Sequence, residues 1–149
     1  MPHFTLNLGQ LGPLLTCLIG VSKERFDALR TAGQTPPPTV TVQGLVDTGA
    51  SCTCVDPSVL TQLGIPPTGR VQVYTPSTRE TTPHETNQYD VSIFIPGATP
   101  QARPFAVPTL PAIESELQHQ GYSVLIGRDI LSSCLLVYEG QGGFFTLAF

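Results

Sequence analysis

Two apolar dipeptides that each run straight into a glycine-bearing turn constrain this chain more than any other feature. Leu45-Val46 leads into Asp47-Thr48-Gly49-Ala50-Ser51, and Leu125-Ile126 leads into Gly127. A short apolar run bounded by turn signals reads as the end of a buried strand. The first junction also sets a carboxylate there, in a chain whose charged residues make up only 12%. Taken alone, an Asp after an apolar run is a turn former or a helix cap. The rest of the sequence decides whether it does more.

What surrounds the two junctions is written for strands. The 149 residues include 14 Gly and 15 Pro, and the apolar runs between them are short and rich in Val, Ile, Thr and Phe. That pattern predicts an all-β fold with many turns, and the length suits one domain over residues 1–149. His3 to Leu8 alternates as a half-buried strand, and Leu14 to Val21 reads as a second. Ser22 caps a helix over Lys23 to Ala32, with Phe26 and Leu29 on one face and Gly33 as the stop. With Pro36-Pro37-Pro38, residues 22–38 read as an inserted helix and proline spacer. Thr39 to Val42 is β-rich, and Gln43-Gly44 is read as a turn. Asp56-Pro57 opens a helical turn that buries Val59, Leu60 and Leu63 and stops at Gly64. Further strands are expected over Val71 to Tyr74, Tyr89 to Ile95, Phe105 to Val107 and Val124 to Ile126. Helical turns are expected over Ile113 to Gln120 and after Gly127, and a β-hairpin closes the chain.

The bulk numbers remove several function classes. A net charge of −4 without a basic patch argues against nucleic acid as a partner. No apolar run is long enough to span a membrane, and no Lys or Arg precedes Lys23 to form the basic start of a signal peptide. A cytoplasmic location is expected. Cys17, Cys52, Cys54 and Cys134 are too sparse for a disulfide scaffold and read as buried free thiols, Cys52 and Cys54 as core residues. Cys52-x-Cys54 lacks the spacing of a zinc pair, so a metal protein using them with His84 is a weak third reading. Ser51 has no Gly-x-Ser-x-Gly elbow and no suitably placed His, so it is not read as a nucleophile.

In their order, about 80 residues apart on a β-rich chain, the two junctions resemble the retropepsin-like aspartic proteases, single-domain relatives of pepsin. Those carry two apolar residues before Asp-Thr/Ser-Gly-Ala/Ser, and later two apolar residues, a Gly and a short helix. The resemblance covers the chain from about Thr39 onward. It implies a closed β-barrel or sandwich, with a short C-terminal helix and here an extra N-terminal helix. It implies a homodimeric endopeptidase acting on peptide or protein substrates, with no cofactor or metal.

The chemistry fits those residue types. Amide hydrolysis without a metal or a covalent nucleophile needs a base to activate water and an acid to protonate the carbonyl oxygen. Two carboxylates that share one proton do both. This chain has one such Asp in a suitable motif, so the resemblance implies that two chains each contribute Asp47 across a two-fold axis. It assigns loop support to Thr48, Gly49, Ala50, Ser51, Leu125, Ile126 and Gly127. It also implies a substrate-covering hairpin flap, with Tyr74, Thr75, Pro76, Ser77 and Thr78 as its candidate residues. Two departures stand out. No glycine lies between Gly69 and Gly97, where viral flaps use several. Arg128 matches an Arg that pairs with an Asp four residues beyond the catalytic one, and Ser51 occupies that place here. Asp56, Asp129 and a backbone carbonyl are the candidate acceptors. Those departures support a runner-up reading: a catalytically silent dimer of the same fold serving as a binding or assembly module.

Overall fold

Alternation builds the first long strand. In β2 (Leu14–Val21), Leu15, Cys17, Ile19 and Val21 are buried while Thr16 is exposed, the period-two pattern of a strand with one face on a core. A computed structural model describes residues 1–75 and 82–149. The order is β1 (His3–Asn7), β2, α1 (Lys23–Thr31), β3 (Val40–Val46), β4 (Cys54–Val55), α2 (Pro57–Leu63) and β5 (Gly69–Val73). There follow β6 (His84–Ile95), β7 (Phe105–Glu114), a 3₁₀ turn (Gln118–Gln120), β8 (Val124–Ile126), α3 (Arg128–Leu131), β9 (Leu135–Glu139) and β10 (Phe144–Ala148).

Seven strands form one sheet in the order β2-β3-β8-β4-β7-β6-β5, and β2 also pairs with β6. That extra pairing, Leu18↔Phe94 through Val21↔Val91, closes six of the strands into a barrel and leaves β5 outside as a hairpin arm on β6. Closure removes the exposed edges that an open sheet would present. Inward residues, among them Ile19, Val55, Val91, Ile93, Val124 and Ile126, fill the barrel. A second, antiparallel sheet, β1-β10-β9, lays Phe145 and Leu147 against the same core. Among the described residues, no helix is long and apolar enough to cross a membrane.

Four local expectations are corrected. Gln43-Gly44 is not a turn: β3 runs unbroken from Val40 to Val46. Gly44 is there for space, since a Cβ would lie 3.1 Å from Ile126 Cδ1 and 3.3 Å from Cys17 Sγ. β6 begins at His84 rather than Tyr89, because pairing with β5 overrides the polar composition of residues 84–88. β7 continues to Glu114 through two prolines. Its register with β6 jumps between Val91 and Ile93, so Pro108 and Thr109 stand opposite Ser92 alone. This is a bulge, where a missing N–H is tolerated. Ile113 to Gln120 is therefore strand first, with helical structure only at Gln118–Gln120.

The helix α1 forms as its caps dictate: the Ser22 side chain accepts from Arg25 N–H, and Gly33 ends it at φ +71°. The face that carries Phe26 and Leu29 is not packed into the core: no residue of α1 is buried and Phe26 is 44% exposed. The bulge instead tethers the helix, with Thr109 Oγ1 donating to Glu24 Oε2 at 2.6 Å and accepting from Lys23 N–H at 3.3 Å. Lys23 also pairs with Asp27 on the exposed face of α1. The helix α2 is built as read: Asp56 caps it, Gly64 ends it at φ +62°, and Val59, Leu60 and Leu63 are buried.

Candidate active site

Parallel pairing of β3 with β8 sets Leu45 beside Leu125 and Val46 beside Ile126. The next backbone N–H, that of Asp47, still donates to the Ile126 carbonyl at 3.0 Å. Asp47 is therefore held at the lip of the barrel rather than on a free loop. The chain then turns on the Asp side chain: Oδ1 accepts the Gly49 N–H at 2.8 Å, and Ala50 N–H donates to the Asp47 carbonyl at 3.3 Å. This is the Asx-turn expected of an Asp before Thr-Gly. It uses one carboxylate oxygen. Among the described residues no hydrogen bond reaches Oδ2, and the side chain is partly exposed.

The turn is fastened from beneath. β8 lies between β3 and β4, pairing parallel with the first and antiparallel with the second. Residues 47–53 thus leave on one side of β8 and return on the other, and Gly127 passes under the crossing. A Cβ on Gly127 would lie 2.5 Å from the Cys52 carbonyl carbon and 2.6 Å from its oxygen. Only glycine allows that approach. Thr53, fully buried, donates its N–H to Asp129 Oδ2 at 2.7 Å and its hydroxyl to Asp129 Oδ1 at 2.8 Å. The same hydroxyl accepts Gly127 N–H at 3.2 Å, and Ile130 N–H donates to Asp129 Oδ1 at 2.9 Å. Arg128 clasps the front of the turn: its N–H reaches the Ala50 carbonyl and its Nη1 the Thr48 carbonyl, each at 3.0 Å. Of the three acceptors open to Arg128, the backbone carbonyl is the one used. Thr48 and Ser51 project into solvent.

The neighbouring thiols are unlike one another. A hydrogen bond from Cys54 stabilises the Cys52 thiolate, outweighs burial, and brings Cys52 down to about 7. Cys54 is pushed up by that same bond, by burial, and by the charges of Cys52, Asp129 and Asp47. Cys17, deep in the barrel, is raised to about 12 by burial. All four cysteines are free, and Cys52 and Cys54 are half-buried rather than core residues. Among the described residues, no three His, Cys, Asp or Glu side chains converge as a metal site requires. Asp56, named from sequence as a cap, also serves a second loop, its Oδ2 accepting Leu117 and Gln118 N–H at 2.8 Å each.

A family model described as aspartyl protease matches residues 31–130. The chain belongs to the aspartyl protease family. Its fold is all-β and retropepsin-like. Among solved structures it is similar to a retropepsin-like aspartic protease from Rickettsia conorii, at 12% identity and a TM-score of 0.61, over 99% of this chain and 90% of that one. A foamy viral protease-reverse transcriptase solved in complex with an RNA/DNA hybrid matches 85% of this chain and 12% of its own, at 18% identity and a TM-score of 0.45. No curated protein matches the chain.

The hairpin arm β5–β6 leaves the barrel on the β7 side, with Val73↔His84 as its last described pair. Tyr74, 66% exposed, and Thr75 begin the connection between the two strands. Pro76, Ser77 and Thr78 lie outside the described residues. A cleft of about 460 Å³ opens beneath the arm, lined by Val73, Thr75 and His84 from the hairpin and by Cys54, Ile113 and Glu114 below it. Sequence reading missed Thr53 and Tyr122. Tyr122 is 9% exposed and donates to Gln120 Oε1 at 2.7 Å. Burial raises its phenol, and the charge of Asp47 adds to that. A buried Tyr two residues before an apolar run was the available signal.

Proposed function

We propose that this aspartyl protease is an endopeptidase that hydrolyses extended peptides by water activated between two Asp47 carboxylates, one from each chain of a homodimer. One observation carries the reading. The Asx-turn takes up Oδ1 and, among the described residues, leaves Oδ2 without a partner on a partly exposed side chain at the lip of the barrel. Paired with a second copy, it meets its own image. Repulsion between the two keeps one proton on the pair. The ionised member accepts a proton from water as the water attacks the carbonyl carbon, and the protonated member donates to the carbonyl oxygen. The carboxyl that took the proton from water then gives it to the nitrogen, and the other carboxylate takes back the proton from a diol hydroxyl. Collapse of the tetrahedral species expels the amine. Mildly acidic conditions favour this, and activity declines as alkali removes the shared proton. The chain 1–149 acts as one domain, with residues 22–38 an insertion outside the barrel.

Within this reading Thr48, exposed next to Asp47, supplies a hydroxyl that can bond to its copy across the axis. Gly49, Ala50 and Ser51 shape the turn, and Leu125, Ile126 and Gly127 back it. Tyr74 and Thr75, with Pro76, Ser77 and Thr78, belong to the cover, and substrate lies as an added strand beneath it. The test is incubation of wild type and Asp47→Asn with a mixed peptide library between about pH 4 and 7, read by mass spectrometry. Cuts present in wild type and absent in Asp47→Asn are expected. A protein that dimerises and cuts nothing would instead be a binding or assembly module.

A further inference from the structure

The cleft under the hairpin arm is chemically lopsided. Its floor is apolar, built from Ile113 and Pro57, with Val73 contributed by the hairpin above. Glu114 and Glu116 also line the cleft, and among the described residues no Lys or Arg does. Glu114 is fixed in place rather than free to swing away: its Oε2 accepts Tyr89 Oη–H at 2.8 Å and Asn87 Nδ2–H at 3.4 Å, and its backbone carbonyl accepts Thr86 Oγ1–H at 2.9 Å. These donors hold one oxygen of the carboxylate and leave Oε1 without a partner among the described residues. Glu116 is exposed and makes no hydrogen bond or ion pair among the described residues. The described ion pairs lie elsewhere, at Lys23–Asp27 and Arg70–Glu85. The cleft also adjoins the candidate site. Cys54, which lines it, pairs with Leu125 of β8, the strand that backs Asp47.

From the cleft's position, volume and wall chemistry we infer that it is a specificity pocket for a cationic substrate side chain, Lys or Arg, with Glu114 as the fixed counter-ion and Glu116 as a second. The inference rests on the endopeptidase reading above and names the substrate class of that site. A Lys or Arg stem lies along the apolar floor while its charged head reaches the carboxylates. The volume falls within the range of small-ligand sites, about 300–1,000 Å³. An acidic side chain would meet two carboxylates, so the pocket rejects as well as selects. His84, on the hairpin wall, adds a ring nitrogen as a hydrogen-bond partner.

The test uses peptides that vary one residue near the scissile bond among Lys, Arg, norleucine and Glu. Norleucine keeps the length of Lys without its charge. Cleavage is measured with wild type, Glu114→Gln, Glu116→Gln and the double variant. Binding of the same fluorescent peptides is measured with Asp47→Asn, which retains the pocket. Wild type is expected to prefer Lys or Arg over norleucine at one fixed position by tenfold or more, expressed mainly in KM. That ratio should collapse toward unity in the double variant. Glu116→Lys, at an exposed position where folding is not at risk, should shift the ratio toward Glu. Cleavage with no cationic preference, or with one that survives the double variant, overturns the pocket and leaves the protease reading standing. Lys-selective binding by Asp47→Asn without any cleavage by wild type keeps the pocket and overturns the protease. Neither binding nor cleavage overturns both.

Discussion

One hydroxyl, Thr53 Oγ1, joins the two halves of the candidate site: it donates to Asp129 and accepts from Gly127 N–H. Valine has nearly the same shape and neither capability. Thr53→Val leaves a buried N–H unpaired and should cost about 1–3 kcal/mol, read as a lower denaturation midpoint. Asp56 makes a separate, pH-dependent contribution. Burial acts to raise its carboxyl, but the Ser58 hydroxyl and the N–H groups of Leu117, Gln118 and Ser58 outweigh it and hold Asp56 at about 2, below its ordinary 3.8. The unfolded chain therefore takes up that proton first. The stability Asp56 supplies is complete above about pH 4 and is lost as pH falls toward about 2. Wild type should lose thermal stability through that window, and Asp56→Asn should start lower and change less. The thiols give a third expectation. With Cys52 at about 7 and Cys17 at about 12, iodoacetamide at neutral pH should label Cys52 first. Uniform labelling of all four, read by peptide mass, would contradict this.

Among the elements, the tightest point is the passage of Gly127 beneath the Cys52 carbonyl. Gly127→Ala drives a Cβ into backbone at 2.5 Å, which no side-chain rotation relieves. It should destabilise by at least about 2 kcal/mol and disturb cleavage with it. Gly69→Ala is the control, since nothing lies within 4 Å of its Cβ and its φ is ordinary; it should leave the midpoint nearly unchanged. The contrast between glycines also explains which parts of the fold could be read from sequence. Elements set by local chemistry were legible: β1 from its alternation, β2 from its apolar run, α1 from Ser22 and Gly33, α2 from Asp56, Pro57 and Gly64. Elements set by distant partners were not. Gly44 looks like a turn residue until Ile126 and Cys17 are packed against it. The prolines of β7 look like breakers until a bulge and a one-sided pairing absorb them. The polar start of β6 is a strand only because β5 lies alongside. At the candidate site, Asp47 and Gly127 were legible as the ends of two apolar runs. Thr53 was not, because nothing local marks a threonine that meets Asp129 from 76 residues away.

At the scale of the whole molecule, the barrel is closed by its own strands and contains one Asp-Thr-Gly turn. No single chain can perform the proposed chemistry, because a lone carboxylate cannot be base and acid in the same step. Dilution should then lower the rate per chain once the protein falls below the dimer dissociation constant. A sharper consequence follows from mixing. Asp47→Asn removes a charge at a partly exposed position without disturbing the barrel, so it should dimerise with wild type as readily as wild type does with itself. In an equal mixture about one quarter of the dimers carry two intact carboxylates, half carry one, and the remainder none. With total wild type held constant, activity should fall to about half of the unmixed value. Adding more variant should continue the decline in proportion to the wild-type fraction. A mixture that keeps full activity after equilibration would mean that each chain works alone or that one carboxylate suffices, and the shared-proton mechanism would then be wrong.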